Sequence, residues 1–203
     1  MYKQQLIACA GVSLMLTCGM MVPTPVNAGT LTVNANLIAG SCDLVLEGNG
    51  KITFGPHTSQ DFVVGNGTAE VQSFALRVAN CSTPTTTHAG WNVRIKVGVG
   101  GGTTTTTANG SGAHIFTDNA NSTTGFMLRE LDNQSPSWTG GIGTFYDPSA
   151  SVGNGDYTHQ ESGSVLTDGS ALNYAVGFVQ AAPQTPAEPE TVKATLTFTF
   201  EYF

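Results

Sequence analysis

The segment TVKATLTFTFEYF, residues 191–203, places an apolar side chain at every second position: Val192, Ala194, Leu196, Phe198, Phe200 and Tyr202. Lys193, Thr195, Thr197, Thr199 and Glu201 stand between them. Alternation of period two over this length specifies a strand with one buried face and one wet face. Such a strand needs a neighbour on each edge, or a device that protects a bare one. The chain offers no residues after it, so the second neighbour has to be sought elsewhere.

The same period recurs upstream. Thr30 to Leu37 alternates with Leu31, Val33, Ala35 and Leu37 on one face. Cys42, Leu44 and Leu46 continue that phase, and Phe74, Leu76 and Val78 form a further inward row. Trp91, Val93, Ile95, Val97 and Val99 make another, followed by Phe126 with Leu128, and by Leu172, Tyr174, Val176 and Phe178. Almost nothing reads as helix. About seven short strands separated by turn residues predict an all-β chain, an antiparallel β-sandwich. GGGTTTTTANGSG and residues 132–169 carry little regular pattern and read as surface loops or small hairpins.

Residues 1–28 read as a secretory signal: Lys3, the apolar LIACAGVSLMLTCGMMV, then Val26-Asn27-Ala28 as a small-residue cleavage site. The rest, from Gly29, fits one domain with one core. Lys3 leaves with the signal, so six Lys and Arg face 14 Asp and Glu, a formal charge of −8. An acidic exported chain without basic clusters is a poor partner for nucleic acid. Cys9 and Cys18 lie in the signal; Cys42 and Cys81 remain, and in an oxidising compartment they read as a disulfide.

No catalytic constellation emerges. His57, His88, His114 and His159 are scattered through loop-like segments, with no pair at metal-ligand spacing, and read as exposed loop histidines. Asp118, Glu130, Asp132, Asp147 and Asp156 are spread without the spacing of a calcium loop or a glycosidase pair. Neither a G-x-S-x-G elbow nor a phosphate-binding loop is present. The expectation is a non-enzyme without cofactor or metal. Trp138 and Tyr146 would suit either a carbohydrate platform or packing on the sandwich, with packing the better default.

Two readings of the Thr30–Leu37 segment compete. It either pairs within its own domain, or leaves it and fills the edge beside residues 191–203 of another copy by strand addition.

The extension TLTVNANLIAGSC, then FALRVANCS, NSTTGFMLRELDN, LNYAVGFV and the terminal VKATLTFTFEYF with penultimate Tyr202 together resemble the chaperone–usher fimbrial (pilus) subunits of Gram-negative bacteria. The resemblance spans most of the chain after the signal and is densest at its two ends. It implies an incomplete immunoglobulin-like sandwich lacking its last strand, with residues 29–41 as donor extension and 42–203 as pilin domain. Carried residue by residue, it implies a donor face of Leu31, Val33, Ala35 and Leu37. The implied acceptor groove is Leu196, Phe198, Phe200 and Tyr202, with the Phe203 carboxylate held by a periplasmic chaperone. The family often has Gly where Ala35 stands. The implied partners are that chaperone, an outer-membrane usher and neighbouring subunits, and the implied place is a surface fimbria supporting cell adhesion, reached through the periplasm. The alternative is a self-complete secreted sandwich that binds carbohydrate through its long loops.

Overall fold

The computed structural model describes residues 29–36, 42–47, 50–81, 93–108, 113–132, 138, 140–161, 166, 168–181 and 187–202. The expected signal, Leu37, Trp91, His88 and Phe203 lie outside them. Eleven strands and one short α-helix are described, besides two 3-10 turns at Ile142–Thr144 and Pro148–Ala150: β1 (Thr30–Asn36), β2 (Asp43–Leu46), β3 (Lys51–Thr53), α1 (Ser59–Val64), β4 (Thr68–Ala79), β5 (Val93–Gly100), β6 (Thr104–Ala108), β7 (Ala113–Thr117), β8 (Thr124–Glu130), β9 (Tyr157–Glu161), β10 (Ala171–Gln180) and β11 (Lys193–Tyr202).

They form two sheets, a five-stranded one in the order β3-β1-β11-β5-β9 and a six-stranded one in the order β2-β4-β10-β8-β7-β6. The inward rows named from sequence meet between them. Leu76, Ile95, Val97, Phe126, Leu128, Tyr174, Val176, Phe178, Leu196 and Phe198 are all fully buried. Aromatic rings fill the two ends of this space. Phe54, Phe126 and Phe178 pack at one end, with Phe62 of α1 edge-on to Phe178 at 5.3 Å. Phe74 stacks on Tyr174 at 5.4 Å, and Tyr174 meets Phe198 at 5.1 Å, further along. Tilted and edge-on rings add to the stabilisation that their buried area provides.

Every residue of β8 is buried, on both faces. The reason is that residues 140–150 lie over the outer face of the six-stranded sheet, where Phe145 joins Ile115, Met127, Ala175 and Val179 in a second apolar cluster. Arg129 is buried under this cover and donates to the carbonyls of Thr144 and Phe145. The long connection, expected as surface loops or small hairpins, is therefore partly a structural layer. It also contains β9, which no apolar alternation announces.

Two corrections follow. α1 exists, capped where the Asp61 carboxylate accepts from the backbone N–H and hydroxyl of Thr58. The threonine run forms β6, half of a hairpin with β7, in line with the small-hairpin reading of that stretch. His159 is a buried residue of β9, 5% exposed, and not a solvated loop histidine. Its backbone takes φ of 49°, which turns the imidazole inward at a bulge, edge-on to Tyr174 at 5.1 Å.

Candidate functional site: the slot beside the last strand

β11 has β5 on one edge, antiparallel, with Phe198 opposite Val97 and Phe200 opposite Ile95. Its other edge is covered by β1 of the same chain. β1 runs parallel to β11, with Leu31 in register with Ala194, Val33 with Leu196 and Ala35 with Phe198. On its far side β1 pairs antiparallel with β3, Leu31 opposite Ile52. The strand occupies a slot that would otherwise separate β3 from β11.

Leu31 is fully buried and Val33 is 4% exposed, so both point into the core beside Val192 and the β11 row of Ala194, Leu196, Phe198 and Phe200. At about 1.5–3 kcal/mol per fully buried side chain of this size, the two contribute roughly 3–6 kcal/mol. Main-chain bonds extend the pairing: the Thr30 N–H donates to Val192 O at 3.1 Å and the Val33 N–H to Gly50 O at 2.8 Å. The strand enters tightly. A Cβ on Gly29 would lie 1.4 Å from the Val192 carbonyl oxygen, so only glycine lets the backbones approach this closely.

The structure thus brings together four of the residues named from sequence for the two halves of an interface, Leu31, Val33, Leu196 and Phe198, within one chain; Phe200 lies further along the β11 row. Ala35 and Tyr202 fall on the paired strands β1 and β11. Cys42 and Cys81 form a disulfide with a Cα–Cα distance of 4.0 Å. It ties the start of β2 to the end of β4, with five residues between Cys42 and the end of β1.

Among the described residues the polar side chains around β9 make structural contacts. The His159 Nδ1 lies 3.4 Å from Glu130 Oε1 and 3.8 Å from Asp132 Oδ2, against a cavity of about 320 Å³. Glu130 accepts the His159 backbone N–H, and Asp132 accepts the backbone and side-chain amides of Asn173. The Tyr174 hydroxyl meets that of Thr158 at 2.7 Å, and burial pushes its ionisation well up. These contacts close β9 over the core. Among the described residues no group of three His, Cys, Asp or Glu is placed to hold a metal ion. Trp138 packs edge-on to Phe145 at 5.3 Å. Tyr146 is half-buried against Gly67, and burial pushes its phenol up to about 12. Both rings offered for a carbohydrate platform are engaged with the body.

Comparison with curated proteins returns no match. Among solved structures, a chain from a chaperone–usher pilus, in a study of the molecular basis of rod uncoiling, is similar with a TM-score of 0.53 at 17% identity. The match covers 84% of this chain and 92% of that chain, and it shows the two-sheet fold. The family model for fimbrial protein matches residues 29–202, the whole body built on the slot, and the chain belongs to the fimbrial protein family.

Proposed function

We propose that this chain, a structural subunit of a surface pilus, polymerises by exchanging β1 between copies. The supporting observation is the slot between β3 and β11. It is filled by a short terminal strand that contributes two buried side chains and lies outside the disulfide-closed body. Any strand with the same alternation fits there, and every other copy carries one.

Direction supplies a reason for exchange. Within one chain, Asn36 sits beside Thr199, and residues 37–41 must reach Cys42. Asp43 pairs with Ala79, at the far end of β4 from Thr68, and Phe74 of β4 already meets Phe198. Reversing β1 would carry Asn36 to the Lys193 end of β11, about 20 Å away at 3.3 Å per residue, the limit of that connection. The tether therefore favours parallel pairing in cis. A strand arriving from another copy has no such tether and can pair antiparallel, which is slightly more stable per residue.

On this reading Leu31, Val33, Ala35 and Leu37 form the donor face, and Leu196, Phe198, Phe200 and Tyr202 line the acceptor. An empty slot exposes apolar surface and two strand edges, an aggregation hazard that calls for a periplasmic chaperone, binding near Phe203, and an outer-membrane usher during export. Adhesion follows from the fibre as a whole.

Deletion of residues 29–39 tests the exchange. The shortened subunit should accept a strand but donate none, so adding it to full-length subunits should shorten the fibres in proportion to its share. Fibres of unchanged length, or assembly by the deleted subunit alone, would sink the reading.

A further inference from the structure

Four strands lie at sheet edges among the described residues: β3, β9, β2 and β6. An edge exposes unpaired N–H and C=O groups, and proteins blunt it with charge, shortness, bulges or proline. β3 has three residues and carries exposed Lys51. β2 has four, opens on Asp43 and is followed by Glu47. β9 is flanked by Asp156, ends in Glu161, pairs with β5 through a register shift and holds His159 at positive φ.

β6 has none of these devices. Its five residues, TTTTA, include no charge and no proline, and its pairing with β7 runs without a shift from Thr104↔Thr117 to Ala108↔Ala113. Threonine favours extended backbone, and four of the five residues are threonine. The hairpin is anchored firmly, because Ile115 and Phe116 of β7 are both fully buried. Among the described residues the outer edge of β6 is thus an unpaired, uncharged strand edge on an acidic protein.

We propose that β6 is a second assembly surface, where β6 of another copy of this chain pairs with it edge to edge and joins fibres side by side. The proposal rests on the polymerisation reading, since it adds a lateral contact to the axial one. A second copy is the occupant that the charges favour. The chain carries a net formal charge of −7, so copies repel over most of their surface, and β6 offers an approach with no charge on either side. Threonine also pairs well with threonine across strands. A two-fold arrangement sets Thr106 against itself and Thr104 against Ala108, and a two-residue slip still places Thr against Thr. One such pair is marginal in water, and repetition along a fibre makes it effective.

Charge-swap variants at the centre of the strand provide the test. Fibres of wild type, Thr106→Lys and Thr106→Glu are compared by electron-microscopic width and by the fraction sedimented at low speed. Wild-type fibres should associate laterally, and more so as salt screens the acidic surface. Each single variant should lower the sedimented fraction tenfold or more with fibre length unchanged, and mixing Lys fibres with Glu fibres should restore it. Wild-type fibres that stay single at every salt concentration, or variants that bundle like wild type, overturn the proposal. Absence of any fibre would instead strike the strand-exchange reading. Edge pairing is then judged on soluble chains, where failure of Thr106→Lys and Thr106→Glu chains to form a mixed dimer overturns it.

Discussion

Val33 of β1 lies in register with Leu196 of β11, parallel, and both side chains are buried. Together with Leu31 against Ala194, this contact is what a free subunit loses when β1 leaves. Leu31→Ala should therefore lower the stability of the monomer by about 2–5 kcal/mol, the usual range for truncating a buried leucine. Thr32→Ala, at a half-buried position on the opposite face, should change it by less than about 1 kcal/mol. Urea unfolding of the two variants checks the difference. Equal effects would mean that β1 does not seal the core in solution.

The Cys42–Cys81 bridge closes a loop with a sequence separation of 39. In the chain-entropy account, a loop of that size is worth about 4 kcal/mol. The bridge also fixes the point where residues 37–41 leave the body, so it should matter to both stability and exchange. A Cys42→Ser, Cys81→Ser double variant is expected to unfold at clearly lower urea and to incorporate poorly into fibres. Unchanged unfolding with the bridge absent would show that β2 is held by packing alone.

The corner around α1 should respond to acid. Burial works to raise the Glu70 carboxyl, but hydrogen bonds from His57, Gln72 and the Gly55 N–H outweigh it and hold it low. The Asp61 carboxyl is lowered chiefly by the Thr58 backbone N–H, against a smaller opposing effect of burial. A carboxylate depressed in the folded state stabilises the fold above its ordinary range, near pH 4, and that contribution disappears as pH falls through the depressed value. Thermal unfolding should show stability falling below about pH 4, and Glu70→Gln should flatten the fall. A fall that persists unaltered in Glu70→Gln would place the sensitivity elsewhere.

What the sequence made legible was the buried face. Where apolar residues alternate, as in residues 192–200 or 172–178, the row named in advance lies in the core, because the space between the two sheets takes one face of each strand. Elements that bury polar or glycine positions were not legible. β9 turns Thr158 and His159 inward, so its alternation has no apolar signature. α1 buries one residue, Phe62, too few for a helical period. The slot itself was half legible: both strands could be named, but nothing in Leu31 or Leu196 says whether the partner comes from the same chain or another. That depends on the short connection to Cys42, a geometric constraint with no residue signature.

The outer layer of the six-stranded sheet gives a prediction that strand patterns alone would not. Gly177 of β10 faces outward beneath Phe145, and a Cβ there would fall 2.3 Å from its Cε1. Phe145 is fully buried and has little room, since Trp138 packs against its other side and Arg129 holds its carbonyl at 3.0 Å. Gly177→Ala must displace the ring, and overpacking of this kind costs about 1–3 kcal/mol. The displacement should free the Trp138 indole, shifting its emission to longer wavelength in a Trp91→Phe background. Gly143→Ala is the control, because nothing lies within 4 Å of a Cβ at that position. If Gly177→Ala leaves stability and emission where they were, residues 140–150 do not cover the sheet in solution, and β8 is not buried on both faces.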